Sequence, residues 1–224
     1  MENNNDLRHL GDALRFYTLY SELEKNAMDA ILKRTLDIVV SIILLLLLLP
    51  IFVVIAIFIR LSSPGPVFFR QQRVGIEERL FWLYKFRSMR PAQGGPAVTS
   101  GGDSRITPIG KLLRKWKLDE LPQFLNVLKG DMSLVGPRPE VPQYVQYYDA
   151  EQRKVLTVRP GITGATQLEF RHEETLLAGR SDVESFYIST IMPQKLQIDL
   201  GYVQSRTFWG DLALLFRTLI AIAK

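Results

Sequence analysis

The sequence contains no cysteine and only two histidines, His9 and His172. Without thiols there is no disulfide, no thiolate nucleophile and no sulfur ligand for a metal. Two imidazoles leave zinc short of its usual ligands. Because cysteine-free chains occur on either side of a membrane, the redox compartment stays open. No internal repeat is visible, which excludes a solenoid or propeller. Excess charge is also scarce: 28 Lys and Arg against 23 Asp and Glu leave a net charge of +5. An excess of that size can attract phosphates or an anionic membrane surface, but it does not by itself indicate nucleic acid.

What is present is a chain of 224 residues, 47% hydrophobic and 23% charged. That suits one folded domain with room for an anchor, and argues against wholesale disorder. The anchor is the run "IVVSIILLLLLLPIFVVIAIFI", Ile38 to Ile59, in which Ser41 is the one polar residue and Pro50 the one interruption. A run this long is read as membrane-inserted. It starts late and no small-residue cleavage site follows, so it is not a cleaved leader. Lys33 and Arg34 precede it, and Arg60, Arg70 and Arg73 follow. Cations on both flanks give no inside–outside asymmetry. A straight span kinked at Pro50 fits; so does a helix that bends there and leaves by the face it entered.

The rest of the chain divides around that run. Residues 1–30 are polar, with a weak helical pattern through Leu10, Leu14 and Tyr17, and read as an arm or surface helix. Residues 31–61 form the membrane helix, broken near Pro50. Residues 62–224 form the main domain. Within it "VFFRQQRVG" and "LFWLYKFRSM", separated by Glu77 to Arg79, suggest a hairpin. Arg90 to Arg105 is rich in Gly and Pro and reads as a mobile loop, either a linker or a lid. From Ile106 the pattern is helical: Ile106, Ile109, Leu113 and Trp116 share one face, and Leu121, Phe124, Leu125 and Leu128 continue in a second set. Pro122 separates the sets and Gly130 ends the second. "PQKLQIDLGYVQS" and "DLALLFRTLIAIAK" read as amphipathic helices that pack on the core or lie at a bilayer interface, with Asp211 as a cap for the second. The fold class expected is α+β: a mostly helical compact domain with a small β-hairpin, a re-entrant membrane helix and interfacial amphipathic helices.

The stretch "RKWKLDELPQF", Arg114 to Phe124, sets Asp119 beside Glu120 at the break before Pro122. Exposed donors at a helix start, with Arg114, Lys115 and Lys117 close by, would let both acids stay ionised. Paired carboxylates beside cations suit magnesium and a phosphorylated ligand. An ionised carboxylate can also attack phosphorus. A plain capping pair on a solvated turn fits the spacing as well. Other cations stand in rigid or turning contexts. Lys85 and Arg87 alternate in "YKFRSM" and so share one strand face. Arg138 lies between two prolines in "GPRPE", and Arg159 precedes Pro-Gly in "VRPGITG". Together they form the kind of basic set a diphosphate pocket needs.

"KFRSM", "DSRITPIGKLLRKWKLDELPQFLNVLKGDMSLVGPRP" and "VRPGITG" resemble the bacterial sugar transferases that initiate glycan assembly, the monotopic polyprenyl-phosphate phosphoglycosyl transferases. The likeness runs from about Lys33 to the carboxyl end. It implies transfer of phospho-sugar from a UDP-sugar to polyprenyl (undecaprenyl) phosphate, with UMP released, at the cytoplasmic face of the bacterial inner membrane. It also implies Asp119 as the nucleophile, forming a covalent phospho-sugar intermediate. Glu120 would help hold Mg2+, with Asp119 as its companion ligand. The family's basic positions fall on Lys85, Arg114, Arg138 and Arg159, and a helix carboxylate falls on Asp199. Arg87 and Arg105, in the matching motifs, join the phosphate-binding set. Expected partners are the UDP-sugar, polyprenyl phosphate and membrane lipid, with a homo-oligomer allowed and no nucleic acid. This chain departs from the pattern twice: Leu49 replaces the Ser of the family's Ser-Pro step, and "ATQLEFRHEE" follows "RPGITG" where many members continue with Trp-Ala-Gln. Two rival readings remain. One is a non-enzymatic membrane-anchored module binding anionic lipid or nucleic acid, which has no need of the acids. The other is a glycosidase, for which adjacent carboxylates are badly placed.

Overall fold

The computed structural model describes residues 27–90 and 103–223. The chain divides into a short unit, Met1–Leu36, and a main unit, Asp37–Lys224. In the short unit the described residues, 27–36, are helical. The rest of the arm expected over 1–30 lies outside the described residues, as does most of the Gly- and Pro-rich loop.

The apolar run forms two helices, α1 (Ala27–Leu47) and α2 (Leu49–Ser62), bent by 60° at the break between them. Pro50 stands in the first turn of α2. There its missing N–H is tolerated, whereas inside one continuous helix its ring would strike the preceding turn. Leu48 bridges the bend: its N–H donates to Leu44 O at 2.9 Å, and its carbonyl accepts from Phe52 N at 2.9 Å. Among the described residues no single helix is long and apolar enough to cross a membrane; the bent pair meets that test together. Its lipid-like residues point outward, Leu61 being 78% exposed. Asp37 and Ser41, one turn apart, are buried instead, and Asp37 Oδ1 accepts the Leu134 N–H at 3.0 Å.

The expected hairpin is present. Strands β1 (Phe68–Val74) and β2 (Leu80–Phe86) pair antiparallel from Phe68↔Phe86 to Val74↔Leu80. Aromatic and branched side chains favour this pleated pairing. Glu77 and Glu78 make the turn with φ of 54° and 60°. The outer edge of β2 is held by one side chain. Tyr84 N donates to Asn126 Oδ1 at 3.0 Å and Asn126 Nδ2 donates to Trp82 O at 2.7 Å. The amide thus stands in for a neighbouring strand.

Helix α3 (Pro108–Lys115) starts later than the periodicity suggested, because Thr107 caps it through the Gly110 N–H at 3.0 Å. Ile106 therefore lies outside the helix, in a bridge with Met89. Trp116 ends α3 and is 47% exposed, so it does not share the buried face of Leu113. Helix α4 (Gln123–Lys129) follows Pro122 and stops at Gly130, whose φ of 89° needs glycine. Strand β3 (Ser133–Val135) then pairs in parallel with β4 (Gly161–Thr163), so the domain holds a second sheet that the sequence patterns had not indicated. The backbones at this point nearly touch: a Cβ on Gly161 would meet Gly136 N at 2.1 Å.

Short helices α5 (Pro142–Val145), α6 (Ala165–Glu169), α7 (Glu173–Leu176) and α8 (Val183–Phe186) lead to α9 (Met192–Ser205) and α10 (Phe208–Ala223). Leu196 of α9 packs with Tyr144, Leu177 and Tyr187 in one core cluster, while Phe81, Val127 and Leu134 centre another. A third, of Ile55, Ile59, Phe86 and Leu113, fastens α2 to the hairpin and α3. Asp211 does not cap α10; Thr207 does, accepting Gly210 N–H at 3.0 Å. Asp211 is buried in the next turn and accepts from Tyr202 OH at 2.8 Å. The whole is α+β and mostly helical, as expected.

Candidate active site

The two acids sit where the sequence break placed them. Lys117 takes a left-handed conformation, φ 55°, and turns the chain out of α3 into a single 3-10 turn, Leu118–Glu120, that carries both. A one-turn element splays adjacent side chains apart, and each acid accordingly meets a different environment.

Glu120 faces the hairpin and the loop after β3. Its Oε1 accepts from Lys85 Nζ at 2.9 Å and from Arg138 Nη2 at 3.4 Å. Burial alone would raise its carboxyl, but the charges of Lys85, Arg138 and Lys117 outweigh that and hold it well below the usual carboxylate range. Lys85 is lowered by burial, opposed by Glu120. Arg138 is raised, first by Glu120. Its loop is fixed from both sides, with Gly136 N donating to Thr163 O at 3.0 Å and Gly161 N to Pro137 O at 2.8 Å.

Asp119 is 5% exposed and its Oδ1 is buried without a hydrogen-bond partner among the described residues. Burial raises its carboxyl, Lys85 opposes that, and Glu120 adds to it. The expectation was that both acids can stay ionised; the two environments differ. The environment pushes the pair apart, holding Glu120 ionised and making Asp119 the readier proton acceptor. An orphaned oxygen is costly in a fold and is accounted for if a ligand atom meets it. Asp119 and Glu120 are the residues that could hold a metal. No group of three or more His, Asp or Glu placed to hold a metal ion exists among the described residues. Two carboxylates suit magnesium, which draws its remaining ligands from phosphate and water.

The other expected binders separate. Arg87 and Lys85 do not share a face, because β2 ends at Phe86 and Arg87 turns back to α2. It is buried and donates to Ser63 O at 2.7 Å, Pro64 O at 2.9 Å and Ile59 O at 3.3 Å. Its fork satisfies carbonyls at the end of α2 rather than facing the acids. Arg105 forms a local pair with Asp103 at 2.6 Å. Arg159 is exposed and donates through Nε to Gly130 O at 2.9 Å. Arg114 reaches Glu174 of α7 in a short ion pair, and its charge also bears on Asp119. Asp199 is buried on α9 and accepts from Thr166 Oγ1. Burial pushes its carboxyl up to about 6, against the Thr166 hydrogen bond and the charge of Lys195.

Between Arg138 and Asp199 runs a buried ionic network that motif reading missed. Lys195 Nζ meets Glu173 at 3.0 Å and Tyr187 OH at 3.3 Å, Tyr187 OH donates to Glu140, and Arg73 donates to Glu140 at 3.2 Å. Glu140 was visible in "GPRPE". Lys195 stands one helical turn before Asp199, and that spacing was a usable signal.

Residues 28–224 match the family model described as bacterial sugar transferase. The chain is 39% identical over 217 residues to a UDP-glucose:undecaprenyl-phosphate glucose-1-phosphate transferase of Caulobacter vibrioides, covering 94% of this chain and 77% of that protein. It is 40% identical over 198 residues to a UDP-N-acetylgalactosamine-undecaprenyl-phosphate N-acetylgalactosaminephosphotransferase of Aeromonas hydrophila, covering 86% and 44%. A UDP-glucose:undecaprenyl-phosphate glucose-1-phosphate transferase of Escherichia coli is 37% identical over 227 residues, with coverage of 93% and 47%. The chain thus spans less than half the length of the last two.

Proposed function

The chain belongs to the bacterial sugar transferase family, and from that membership we propose that it moves a sugar-1-phosphate from a UDP-sugar to polyprenyl phosphate, releasing UMP. The observation that carries this reading is the environment of Asp119: a buried carboxylate with an unpartnered oxygen, one residue from a Glu120 gripped by Lys85 and Arg138. The names of the relatives specify sugar-phosphate transfer to undecaprenyl phosphate, and this turn is where the chain can perform it.

Asp119 Oδ1 attacks the phosphorus that bears the sugar. The bond from that phosphorus to the bridging oxygen breaks, and UMP leaves with the electron pair. The phospho-sugar is now an acyl phosphate on Asp119. An oxygen of polyprenyl phosphate then attacks the same phosphorus, gives the polyprenyl-diphosphate sugar and returns Asp119 as carboxylate. Lys85 and Arg138 stabilise charge that builds on the transferring and leaving phosphates. Glu120 holds these two cations in place. Magnesium, held by Asp119 and Glu120 with substrate phosphate, would neutralise the diphosphate.

The acceptor is lipid-borne, which asks for a site at the bilayer surface. The bent pair α1–α2, with its outward apolar residues and its buried Asp37 and Ser41, supports a re-entrant anchor that enters and leaves by the cytoplasmic face. The inner membrane is the corresponding location.

The test is single-turnover chemistry. Enzyme with UDP-sugar and magnesium, but no lipid acceptor, should release about one equivalent of UMP and stop, as a covalent intermediate demands. A mass increase of one phospho-sugar should map to Asp119. UMP appearing only after polyprenyl phosphate is added would replace the covalent route with direct attack by the lipid. Release of free sugar in place of UMP would point to a glycosidase.

A further inference from the structure

A cleft of mixed lining lies between α6, the end of α9 and the start of α10. It encloses about 310 Å³, within the range of small-ligand sites. Its polar lining is Tyr202, Ser205, Arg206, Thr207, Asp211 and Arg217. Most of these groups are already engaged. Tyr202 OH donates to Asp211 Oδ1 at 2.8 Å, Ser205 Oγ donates to Gly201 O at 2.7 Å, and Thr207 Oγ1 accepts from Gly210 N at 3.0 Å. Asp211, the one acid in the lining, is buried in its bond to Tyr202. The donors left over are the guanidinium groups of Arg206 and Arg217, which are exposed and pair with no carboxylate among the described residues.

Helix α10 is apolar on two opposite sides. Asp211, Leu214, Leu215 and Thr218 face the domain, where Thr218 Oγ1 meets Thr163 Oγ1 at 2.7 Å. Helical spacing puts Trp209, Ala213, Phe216 and Ile220 on the other side, and Trp209 and Phe216 are 76% and 65% exposed. Arg217 stands at the border between the two faces, beside the cleft. Large apolar groups turned to solvent along one stripe signal a lipid or partner surface. A stripe of this width ending in an aromatic at the helix start suits the bilayer interface.

We propose that the α9–α10 cleft binds the phosphodiester headgroup of an anionic glycerophospholipid, held by Arg206 and Arg217, with the acyl chains along Trp209 and Phe216. Two unpaired forks match the acceptor oxygens of a phosphodiester, and the adjoining apolar stripe matches the chains. A soluble phosphate would use the forks but leave the stripe uncovered. The site would orient the domain on the membrane independently of α1–α2. This inference rests on the bilayer placement proposed above and not on the transfer reaction.

The full chain in a neutral detergent, without UDP-sugar, is titrated with phosphatidylglycerol, phosphatidylcholine or inorganic phosphate, and retained molecules are counted by native mass spectrometry. One phosphatidylglycerol per chain should be retained in preference to phosphatidylcholine. Arg206→Gln with Arg217→Gln should weaken that retention about 25-fold, from about fivefold per basic residue. Lys154→Gln with Arg180→Gln removes equal charge elsewhere and should leave retention unchanged. Equal retention of both lipids, or equal loss in both double variants, overturns the site. Inorganic phosphate displacing phosphatidylglycerol at equal concentration would assign a soluble anion and overturn the lipid. UMP release by the Arg206/Arg217 variant in lipid-free micelles should stay within about twofold of the parent, so failure of the headgroup site and failure of the transfer reading are told apart.

Discussion

The ammonium of Lys85 donates to Glu120 Oε1 at 2.9 Å, tying the end of strand β2 to the turn that carries both acids. The contact gives neighbouring residues different surroundings: Glu120 Oε1 meets protein cations, and Asp119 Oδ1 has no hydrogen-bond partner among the described residues.

Substitution of the two acids should therefore separate chemistry from stability. Asp119→Asn should abolish the UMP burst while leaving the thermal midpoint unchanged or higher, since it removes a buried charge and no Oδ1 hydrogen bond. Glu120→Gln should slow both half-reactions and also destabilise the fold by about 3 kcal/mol, because Lys85 and Arg138 lose their counter-charge. A Glu120→Gln protein that melts like the parent would show that the ion pairs carry no net stability.

Arg87 should behave as a structural residue. Arg87→Ala strips donors from the carbonyls of Ile59, Ser63 and Pro64 at the end of α2. Unfolding free energy should fall by about 2–3 kcal/mol, with the donor KM unchanged in whatever protein remains folded. A raised donor KM with an unchanged melting point would return Arg87 to the phosphate-binding set.

Asp199 sets a pH dependence of stability. Its carboxyl is raised from 3.8 to about 6 in the fold, so the folded state holds a proton that the unfolded chain gives up earlier. Stability from this group is full below pH 3.8, falls as pH rises, and is lost once pH passes about 6. The total is at most about 3 kcal/mol. Asp199→Asn keeps an acceptor for Thr166 and should flatten the melting-point slope over that window. An unaltered slope would assign the titration to another group.

Pro50→Leu restores an uninterrupted apolar helix, which at this length can cross a bilayer. Cysteine labelling from each side of intact cells should find the 27–36 segment on the cytoplasmic side in the parent. In the variant part of the population should label from outside. Outside labelling of the parent would establish a straight span.

Much of this was legible in residue order. The hairpin announced itself by two aromatic runs around a charged turn, and Pro122 and Gly130 marked the ends of α4. The junction of Asp119 and Glu120 followed from those breaks. Arg87 was misplaced because alternation along a strand holds only while the strand lasts, and β2 stops one residue earlier. Ile106 and Asp211 were misassigned because a helix start is decided by whichever side chain reaches the free donors, and Thr107 and Thr207 do so; Trp116 was misassigned because α3 ends at it. The β3–β4 pair left no signal: three-residue strands joined across 25 residues of intervening chain are too short for periodicity. The network of Glu173, Tyr187, Lys195 and Glu140 is assembled by tertiary contact, and local spacing marked only Glu140 and Lys195 within it.

Asn126 has one more consequence. Because its amide grips β2 between Trp82 and Tyr84, the location of Lys85 is measured from α4 and not from the tip of the hairpin. The tip has its own tie to the domain, Arg153 donating to Glu78 at 2.8 Å. Loss of the Asn126 amide, rather than of the Glu78 pair, would therefore loosen the segment beside Lys85.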